Sequence, residues 1–258
     1  MMIETFNLSK IFYDSSRGEV KAVDGVSFDC KLGEIVALLG VNGAGKTTTM
    51  RLLSTVLDPS GGTAKVCGYD IRKNPEDVRK NLGFLSGDTG LYPRLKAREI
   101  ITYFGRLYDM TKSNIKSRIE ELSSLLGMNE FLDTKIDSLS TGMKQKLSIA
   151  RSIVHNPPVM IFDEATVGLD ILTARNIVDF IHQCKKDNKA VLFSTHIMRE
   201  AERIADRIII IHNGKLMAQG TLADLQAMSN KTELEDVFIE LIEEQDKQED
   251  KGSKNQEF

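Results

Sequence analysis

The chain has 258 residues, enough for one large domain with a buried core, and its 34 basic and 37 acidic residues leave a net charge of −3. This balance excludes a broad basic surface for nucleic acid, so no nucleic-acid partner is expected. The three cysteines are widely separated, which disfavours a disulfide framework or a zinc cluster and fits a reducing cytosol. The sequence has no apolar run near the ~20 residues that span a bilayer and no signal-peptide pattern, so we expect a protein that acts from outside the lipid.

The N-terminal part of the chain is predicted to be antiparallel. Residues 3–12 form the first strand, residues 14–18 an exposed loop, and residues 26–30 the returning strand, because its side chains alternate between apolar and polar. Residues 34–39 then form a short apolar run that ends in glycine, which is typical of a buried parallel strand.

A glycine-rich loop follows this strand. It matches the phosphate-binding template, a glycine, four residues and then Gly-Lys-Thr, and a helix is predicted after it. Glycines allow turns that aim backbone N–H groups at phosphate oxygens. Lys46 would reach the β- and γ-phosphates, and the Thr47 hydroxyl would ligate Mg²⁺. A turn without chemical role is the alternative. The predicted nucleotide-binding residues are Asn42, Gly43, Ala44, Gly45, Lys46, Thr47 and Thr48.

Helices replace strands in the middle of the chain. After short strands at residues 63–66 and 82–85, three segments have helical periodicity and would form a helical insertion: residues 97–108, 115–126 and 141–154. Parallel strands then return in three apolar runs, at residues 159–162, 190–193 and 207–211, with helices at 172–184 and 197–205 between them. A hairpin, two amphipathic helical pieces and a polar tail over residues 245–258, which we expect to fray, complete the chain.

Two acidic residues follow the strand at 159–162. Asp163 and Glu164 would lie where the carboxyl ends of parallel strands gather ligands. Asp163 suits the role of holding Mg²⁺ through water, and Glu164 that of orienting and polarising the water that attacks the γ-phosphate. A polar turn is the alternative, and the phosphate-binding loop in the same chain argues against it.

Three further pieces accompany these motifs: Leu139-Ser140-Thr141-Gly142-Met143-Lys144-Gln145 at the start of a helix, Gly168-Leu169-Asp170 after the acidic pair, and Ser194-Thr195-His196 at the end of the next strand. With them, the chain resembles the nucleotide-binding subunit of ATP-binding cassette (ABC) transporters over about residues 2–220. The motifs fall in the order that the family has.

The resemblance assigns a role to each motif. It makes residues 40–48 the Walker A loop, and Asp163 and Glu164 the Walker B end and the catalytic carboxylate. His196 is then the switch histidine, which joins Lys46 and Glu164 as a catalytic residue. For His196 the alternative is a hydrogen-bonded structural histidine.

The resemblance also implies a head-to-tail dimer. Residues 139–145 are similar to the signature sequence, and Asp170 to the D-loop aspartate, so Ser140, Gly142 and Asp170 would contact an ATP held by the Walker A loop of a second subunit. Ser140 and the first N–H groups of its helix form an anion site with no phosphate of their own nearby in sequence. A plain serine N-cap is the alternative.

Two positions depend on how the family pattern is aligned. An aromatic ring upstream of Walker A stacks on adenine in the family, and the alignment favours Phe12 over Tyr13, with core packing as the alternative. The family also has a glutamine after the strand at 82–85, where this chain has Gly87 followed by Asp88. Asp88 is the candidate to supply an oxygen to the Mg²⁺ shell in its place. Thr141 and Ala165 replace a glycine and a proline of the family pattern.

The sequence with its resemblance predicts an α/β P-loop NTPase fold, an ABC nucleotide-binding domain with a parallel sheet core, an N-terminal antiparallel β-subdomain and a helical subdomain. Residues 1–220 would form the ATPase domain, with the helical subdomain at about 88–155. Residues 221–258 would form a C-terminal helical appendage and polar tail.

The expected function is hydrolysis of ATP, with Mg²⁺, by a subunit on the cytoplasmic face of the cell membrane that drives a separate integral-membrane permease. Residues 89–93 and 234–238 most resemble exporter ATPases, including the sodium-extruding branch. A soluble ABC protein of translation or repair would normally have two cassettes or a coiled-coil insert. A non-hydrolysing regulator would be expected to lose Glu164 or Lys46. The permease selects the substrate, so this chain does not name it.

Overall fold

A computed structural model describes residues 1–15, 18–86 and 90–254, with side chains as far as Gln245. The predicted metal ligand Asp88 and its neighbour Gly87 lie outside the described residues. The strands are β1 (Ile3–Asp14), β2 (Gly18–Val26), β3 (Asp29–Cys30), β4 (Ile35–Leu39), β5 (Gly61–Val66), β6 (Tyr69–Asp70), β7 (Leu82–Ser86), β8 (Val159–Asp163), β9 (Ala190–Thr195), β10 (Arg207–His212) and β11 (Lys215–Gly220). The helices are α1 (Lys46–Leu53), α2 (Pro75–Lys80), α3 (Ala97–Leu107), α4 (Lys112–Leu126), α5 (Thr141–Ile153), α6 (Ile171–Lys186), α7 (Met198–Ile204), α8 (Leu222–Ser229) and α9 (Leu234–Lys254).

The central sheet has the strand order β11-β10-β4-β9-β8-β7. Strands β10, β4, β9, β8 and β7 are parallel, and β11 pairs with β10 in the opposite direction. Every residue of β4, β8 and β9 is buried, as expected for apolar runs covered on both faces. The carboxyl ends of these three strands lie side by side, because Leu39 pairs with Thr195 and Asp163 pairs with Ser194. The phosphate-binding loop, Asp163, Glu164 and His196 follow or end these strands and therefore meet at one edge of the sheet.

A second, antiparallel sheet is formed by the N-terminal third of the chain. Its order is β2-β1-β5-β6, with β3 paired to β1. The predicted position of the returning strand is wrong: it runs from Gly18 to Val26 instead of over residues 26–30. Pairing begins at Asp14 and Gly18, next to the turn, and two register shifts let Val23 and Val26 both face the core. Residues 26–30 include the last residue of β2 and the two-residue strand β3.

The three predicted helices between residues 88 and 155 are present, as α3, α4 and α5. Helix α4 begins earlier than predicted because the Thr111 hydroxyl accepts a hydrogen bond from the Asn114 N–H and caps it. The short helix α2 has Pro75 at its first turn and is not predicted from the sequence. Helices α3, α4 and α5 pack against the sheet through one large core cluster.

The C-terminal helices return to the central sheet. Helix α9 buries Leu234, Val237 and Phe238. Of the tail predicted to fray, residues 245–254 belong to the α9 backbone helix, and residues 255–258 lie outside the described residues. Glu, Gln and Lys have good helix propensity, so a helix anchored by its buried first turns can continue through a polar sequence. None of the described helices combines the length and the apolar character that crossing a bilayer requires.

Candidate functional site

The glycine-rich loop leaves β4 and enters α1 at Lys46. A Cβ at Gly45 would lie 2.3 Å from the Ala22 carbonyl oxygen, and one at Gly40 would lie 2.4 Å from the Ile211 carbonyl oxygen. Gly45 also has a φ of +104°, which side chains disfavour. The Gly214 N–H, in the turn between β10 and β11, donates to the Ala44 carbonyl at 3.0 Å. The backbone of strand β2 and the turn at Gly214 therefore pack closely against the loop.

The tip and the base of the loop differ in exposure. Asn42 and Gly43 are exposed, Ala44 is buried and Thr48 is half-buried. Lys46 is only 4% exposed, and its Nζ donates to the carbonyl oxygens of Gly40 at 2.8 Å and Val41 at 3.0 Å. A buried ammonium at the start of a helix is suited to anionic groups.

Asp163 ends β8 directly beside the loop. Its Oδ1 accepts hydrogen bonds from the hydroxyls of Thr47, at 3.1 Å, and Ser194, at 2.7 Å. Burial raises the pKa of this carboxyl, and the two hydroxyl hydrogen bonds act in the opposite direction. Thr47 and Asp163, the two predicted metal residues that the structure describes, are thus in contact.

Glu164 is the next residue and faces both Lys46 and His196. Its Oε1 lies 3.4 Å from Lys46 Nζ and 3.5 Å from His196 Nδ1. Its backbone has a φ of +49°, and its N–H donates to Ser194 Oγ at 3.0 Å. The three predicted catalytic residues therefore meet at one carboxylate oxygen, although they come from α1, β8 and the end of β9.

The predicted signature residues form a second group at the start of α5. Ser140 is exposed and is the N-cap of α5, since its Oγ accepts from the Met143 N–H at 3.3 Å. Asp170 is the N-cap of α6: its Oδ1 accepts from the N–H of Thr173 at 3.0 Å, and its Oδ2 from the Thr173 hydroxyl at 2.7 Å. These bonds hold the pKa of Asp170 below its usual value. A Cβ at Gly142 would lie 3.1 Å from the same hydroxyl, so α5 and α6 meet there.

The two groups are linked through the loop after Glu164. Gln145, on α5, donates through Nε2 to the Ala165 carbonyl oxygen at 3.5 Å. This long hydrogen bond joins helix α5 to the residue that follows Glu164.

The aromatic candidates for adenine lie near the end of β1. Phe12 is 39% exposed and Tyr13 is 82% exposed. The ammonium of Lys10 lies 5.3 Å from the centre of the Phe12 ring, and it also donates to the Asp58 carbonyl oxygen. Phe12 is thus held in place while one part of its ring stays accessible.

Comparisons with known proteins decide the family. The family model described as ABC transporter matches residues 23–167. The ABC transporter ATP-binding protein NatA of Bacillus subtilis is 41% identical over 239 residues, which cover 92% of this chain and 97% of NatA. The chain belongs to the ABC transporter family. The linearmycin resistance ATP-binding protein LnrL of the same organism is 34% identical over 87% of this chain and 70% of LnrL.

The structural comparison agrees with the sequence family. A solved ATP-binding subunit of an ABC transporter superposes with a TM-score of 0.83 at 29% identity, covering 94% of this chain and all of that one. The predicted fold class and family are therefore confirmed, and so is the expectation of an ATP-binding subunit with ATPase activity. ATP-binding cassettes of this family dimerise and pair with transmembrane subunits.

Two residues of the ABC site are absent from the sequence-based prediction. Ser194 contacts both acids of the Walker B end, and Thr173 joins Asp170 to Gly142. Ser194 stands in the quoted Ser194-Thr195-His196 piece, so its place beside β8 would follow from the strand order. Thr173 has no sequence signal, because its contacts depend on how α5 and α6 pack.

Proposed function

We propose that Glu164 polarises the water that attacks the γ-phosphate of ATP, while Lys46 neutralises the phosphates and His196 contacts the γ-phosphate. The observation that supports this most directly is the position of the Glu164 Oε1, 3.4 Å from the Lys46 ammonium and 3.5 Å from His196 Nδ1. Residues 42–48 would surround the β- and γ-phosphates with N–H groups, and Phe12 would stack on adenine.

The donor set beside the loop fits Mg²⁺. Hydroxyl and carboxylate oxygens are the ligands that this ion prefers, and Thr47 Oγ1 and Asp163 Oδ1 are 3.1 Å apart. Among the described residues there is no group of three or more His, Cys, Asp or Glu side chains that would hold an ion alone. That agrees with an ion that keeps several waters and binds mainly through the substrate phosphates. Mg²⁺ would neutralise charge on the phosphates, and Asp88 remains a proposed contributor to its shell.

The dimer we propose is head-to-tail. Ser140 and Asp170 are exposed, and the first turn of α5 contains no acidic side chain that would compete for its N–H groups. In the proposed assembly they meet an ATP bound to the Walker A loop of a second subunit, with Gly142 allowing the close approach.

Export through a separate permease is the proposed use of this ATPase. The chain would sit on the cytoplasmic face of the membrane, with residues 1–220 as the ATPase domain, a helical subdomain at about 88–155 and an appendage at 221–258. LnrL is by its name a resistance protein, which favours export. Sodium as the substrate rests on the resemblance of residues 89–93 and 234–238 to the sodium-extruding branch. Co-purification with a membrane partner, followed by ²²Na⁺ flux in vesicles, tests both parts: vesicles that hydrolyse ATP but show no ATP-dependent ²²Na⁺ flux would exclude sodium.

Glu164→Gln tests the catalytic assignment. The amide keeps the shape of the side chain but not the carboxylate, so turnover should fall about 10²–10⁴-fold while ATP binding persists. The variant should also accumulate as an ATP-bound dimer. Phosphate release and size-exclusion chromatography with ATP measure the two effects. Glu130→Gln, an exposed glutamate, is the matched control. Equal turnover by Glu164→Gln and the parent protein would reject the assignment.

A further inference from the structure

Ser194 is a buried polar residue at the carboxyl end of β9. It pairs with Asp163 in the parallel register of β8 and β9, and the two residues are 3% and 4% exposed. A hydroxyl in such a position is desolvated, so its hydrogen bonds decide whether it is tolerated there.

The Ser194 hydroxyl makes two hydrogen bonds, one to each acid of the Walker B end. It donates to Asp163 Oδ1 at 2.7 Å and accepts from the Glu164 N–H at 3.0 Å. A serine hydroxyl has a single proton to donate. Because that proton goes to the carboxylate, an oxygen lone pair is left for the N–H, and both contacts are satisfied by one orientation.

The bond to Asp163 fixes which carboxylate oxygen is used. Ser194, on β9, and Thr47, on α1, both donate to Oδ1. Two hydroxyl hydrogen bonds to one oxygen restrict the rotamer of the side chain. They also favour the ionised carboxylate, which burial alone would disfavour.

The bond to Glu164 holds an uncommon backbone conformation. A φ of +49° is unfavourable for a non-glycine residue, so neighbouring contacts must maintain it. The Ser194 hydroxyl is the side chain that binds this N–H. From this backbone position the Glu164 carboxylate reaches Lys46 and His196.

We propose that Ser194 is a positioning residue for ATP hydrolysis, whose single hydroxyl fixes the side chain of Asp163 and the backbone of Glu164 together. It acts through these two acids, so the inference rests on the roles proposed for them above. Its removal should loosen the metal-facing carboxylate and the water-polarising carboxylate at once.

Ser194→Ala in the full chain is the test. We expect kcat to fall about 10- to 100-fold, the size of a lost hydrogen bond to a charged group, with little change in KM for ATP. Binding of Mn²⁺ in the presence of a non-hydrolysable ATP analogue, followed by electron paramagnetic resonance, should weaken about tenfold. Nucleotide binding without metal should stay at the parental value. If Ser194 had only a structural role, Ser194→Ala would lower the melting temperature without lowering kcat and Mn²⁺ affinity selectively.

Ser152→Ala is the matched control, because Ser152 is a buried serine of α5 whose hydroxyl donates only to the Ile149 carbonyl, at 2.8 Å. Ser194→Thr, which retains a hydroxyl, should recover most of the turnover and the Mn²⁺ affinity. If Ser194→Ala does not fold, Ser194→Cys replaces it, because its thiol has a similar shape and is only a weak donor.

Parental kcat and parental Mn²⁺ affinity in Ser194→Ala, or in Ser194→Cys when that variant replaces it, would overturn the inference. So would equal losses in Ser194→Ala and Ser194→Thr. Glu164→Gln is measured in parallel. If Glu164→Gln is inactive while Ser194→Ala is parental, only the positioning role fails. If Glu164→Gln hydrolyses normally, the proposed function itself fails.

Discussion

The site residues form two groups, a Walker side around Lys46 and Asp163 and a signature side around Ser140 and Asp170. The two groups differ in how many contacts they make with other parts of the same chain. On the Walker side, Lys46 and Asp163 are buried and contact loop carbonyls and hydroxyls of the same chain. On the signature side, Ser140 and Asp170 are exposed and bond only within their own helix caps. The first group is organised before any partner arrives. Within the described residues the second group makes the hydrogen bonds of its own helix caps, as expected for the proposed composite site between two subunits.

Ser140→Arg addresses the signature side and should have the largest effect among the tests of this comparison. The bulky cation removes the N-cap and obstructs the approach of a second subunit, so hydrolysis should fall about 10²-fold or more while the isolated chain still binds ATP. Calorimetry and phosphate release measure the two properties. Ser138→Arg, the same change two residues earlier on an exposed serine, is the control.

Mixing variants extends this test. Lys46→Ala removes a charge from the phosphates and should abolish binding in its own loop, but it leaves its signature side intact. A mixture of Lys46→Ala and Ser140→Arg should therefore regain part of the activity, since one composite site per mixed dimer is complete. No recovery, with mixed dimers demonstrated, would mean that each subunit hydrolyses ATP alone.

The Walker side depends on close packing. Substitutions at two glycines of the loop distinguish the effect of packing from the effect of backbone conformation. Gly45→Ala brings a Cβ to 2.3 Å from the Ala22 carbonyl oxygen at a φ of +104°, whereas Gly43→Ala has a φ of +84° and open space within 4 Å. Gly45→Ala should lower the free energy of unfolding by about 3 kcal/mol, and Gly43→Ala by about 1 kcal/mol. Urea titrations give both values. Equal losses would show that only the backbone conformation matters.

His155, which follows α5, connects the signature side to strand β7 and can change its protonation state with pH. His155 Nε2 lies 3.2 Å from the Leu82 carbonyl oxygen, and its ring stacks on Tyr108 at 3.6 Å. Burial lowers the pKa of His155 to about 4. Between pH 6.5 and 4 the unfolded chain binds a proton that the folded chain does not, so stability is lost as the pH falls through this range.

His155→Phe removes this proton binding and keeps a ring for the stack. The free energy of unfolding of the parent should fall by about 1–3 kcal/mol more than that of His155→Phe between pH 6.5 and 4. Parallel pH curves for the parent and His155→Phe would contradict the assigned protonation state.

The sequence predicts most of the fold and the residue types of the site, because both depend on local signals. Buried parallel strands are continuous apolar runs, and the phosphate-binding loop is a contiguous motif next to one of them. Contacts between distant segments are not predicted. The reason for a glycine at position 45 lies partly in Ala22, and the Ser194 contacts follow from the pairing of β8 with β9. The misplaced returning strand has a similar cause, since two register shifts in β1 and β2 bring Val23 and Val26 to the same face.

Because β4 lies in the middle of the sheet, the site cannot form until both neighbouring strands have been synthesised. Its neighbours are β9 and β10, and Ile35 pairs with Val191 while Val36 pairs with Arg207, more than 150 residues later in the chain. The turn that supports Ala44 is made later still, at Gly214. At about 5–20 residues per second, a ribosome would carry this apolar strand without its sheet partners for roughly 10–30 s. The nascent chain therefore gains its nucleotide site only after Gly214 has been synthesised, and until then β4 is an apolar segment that chaperones could bind.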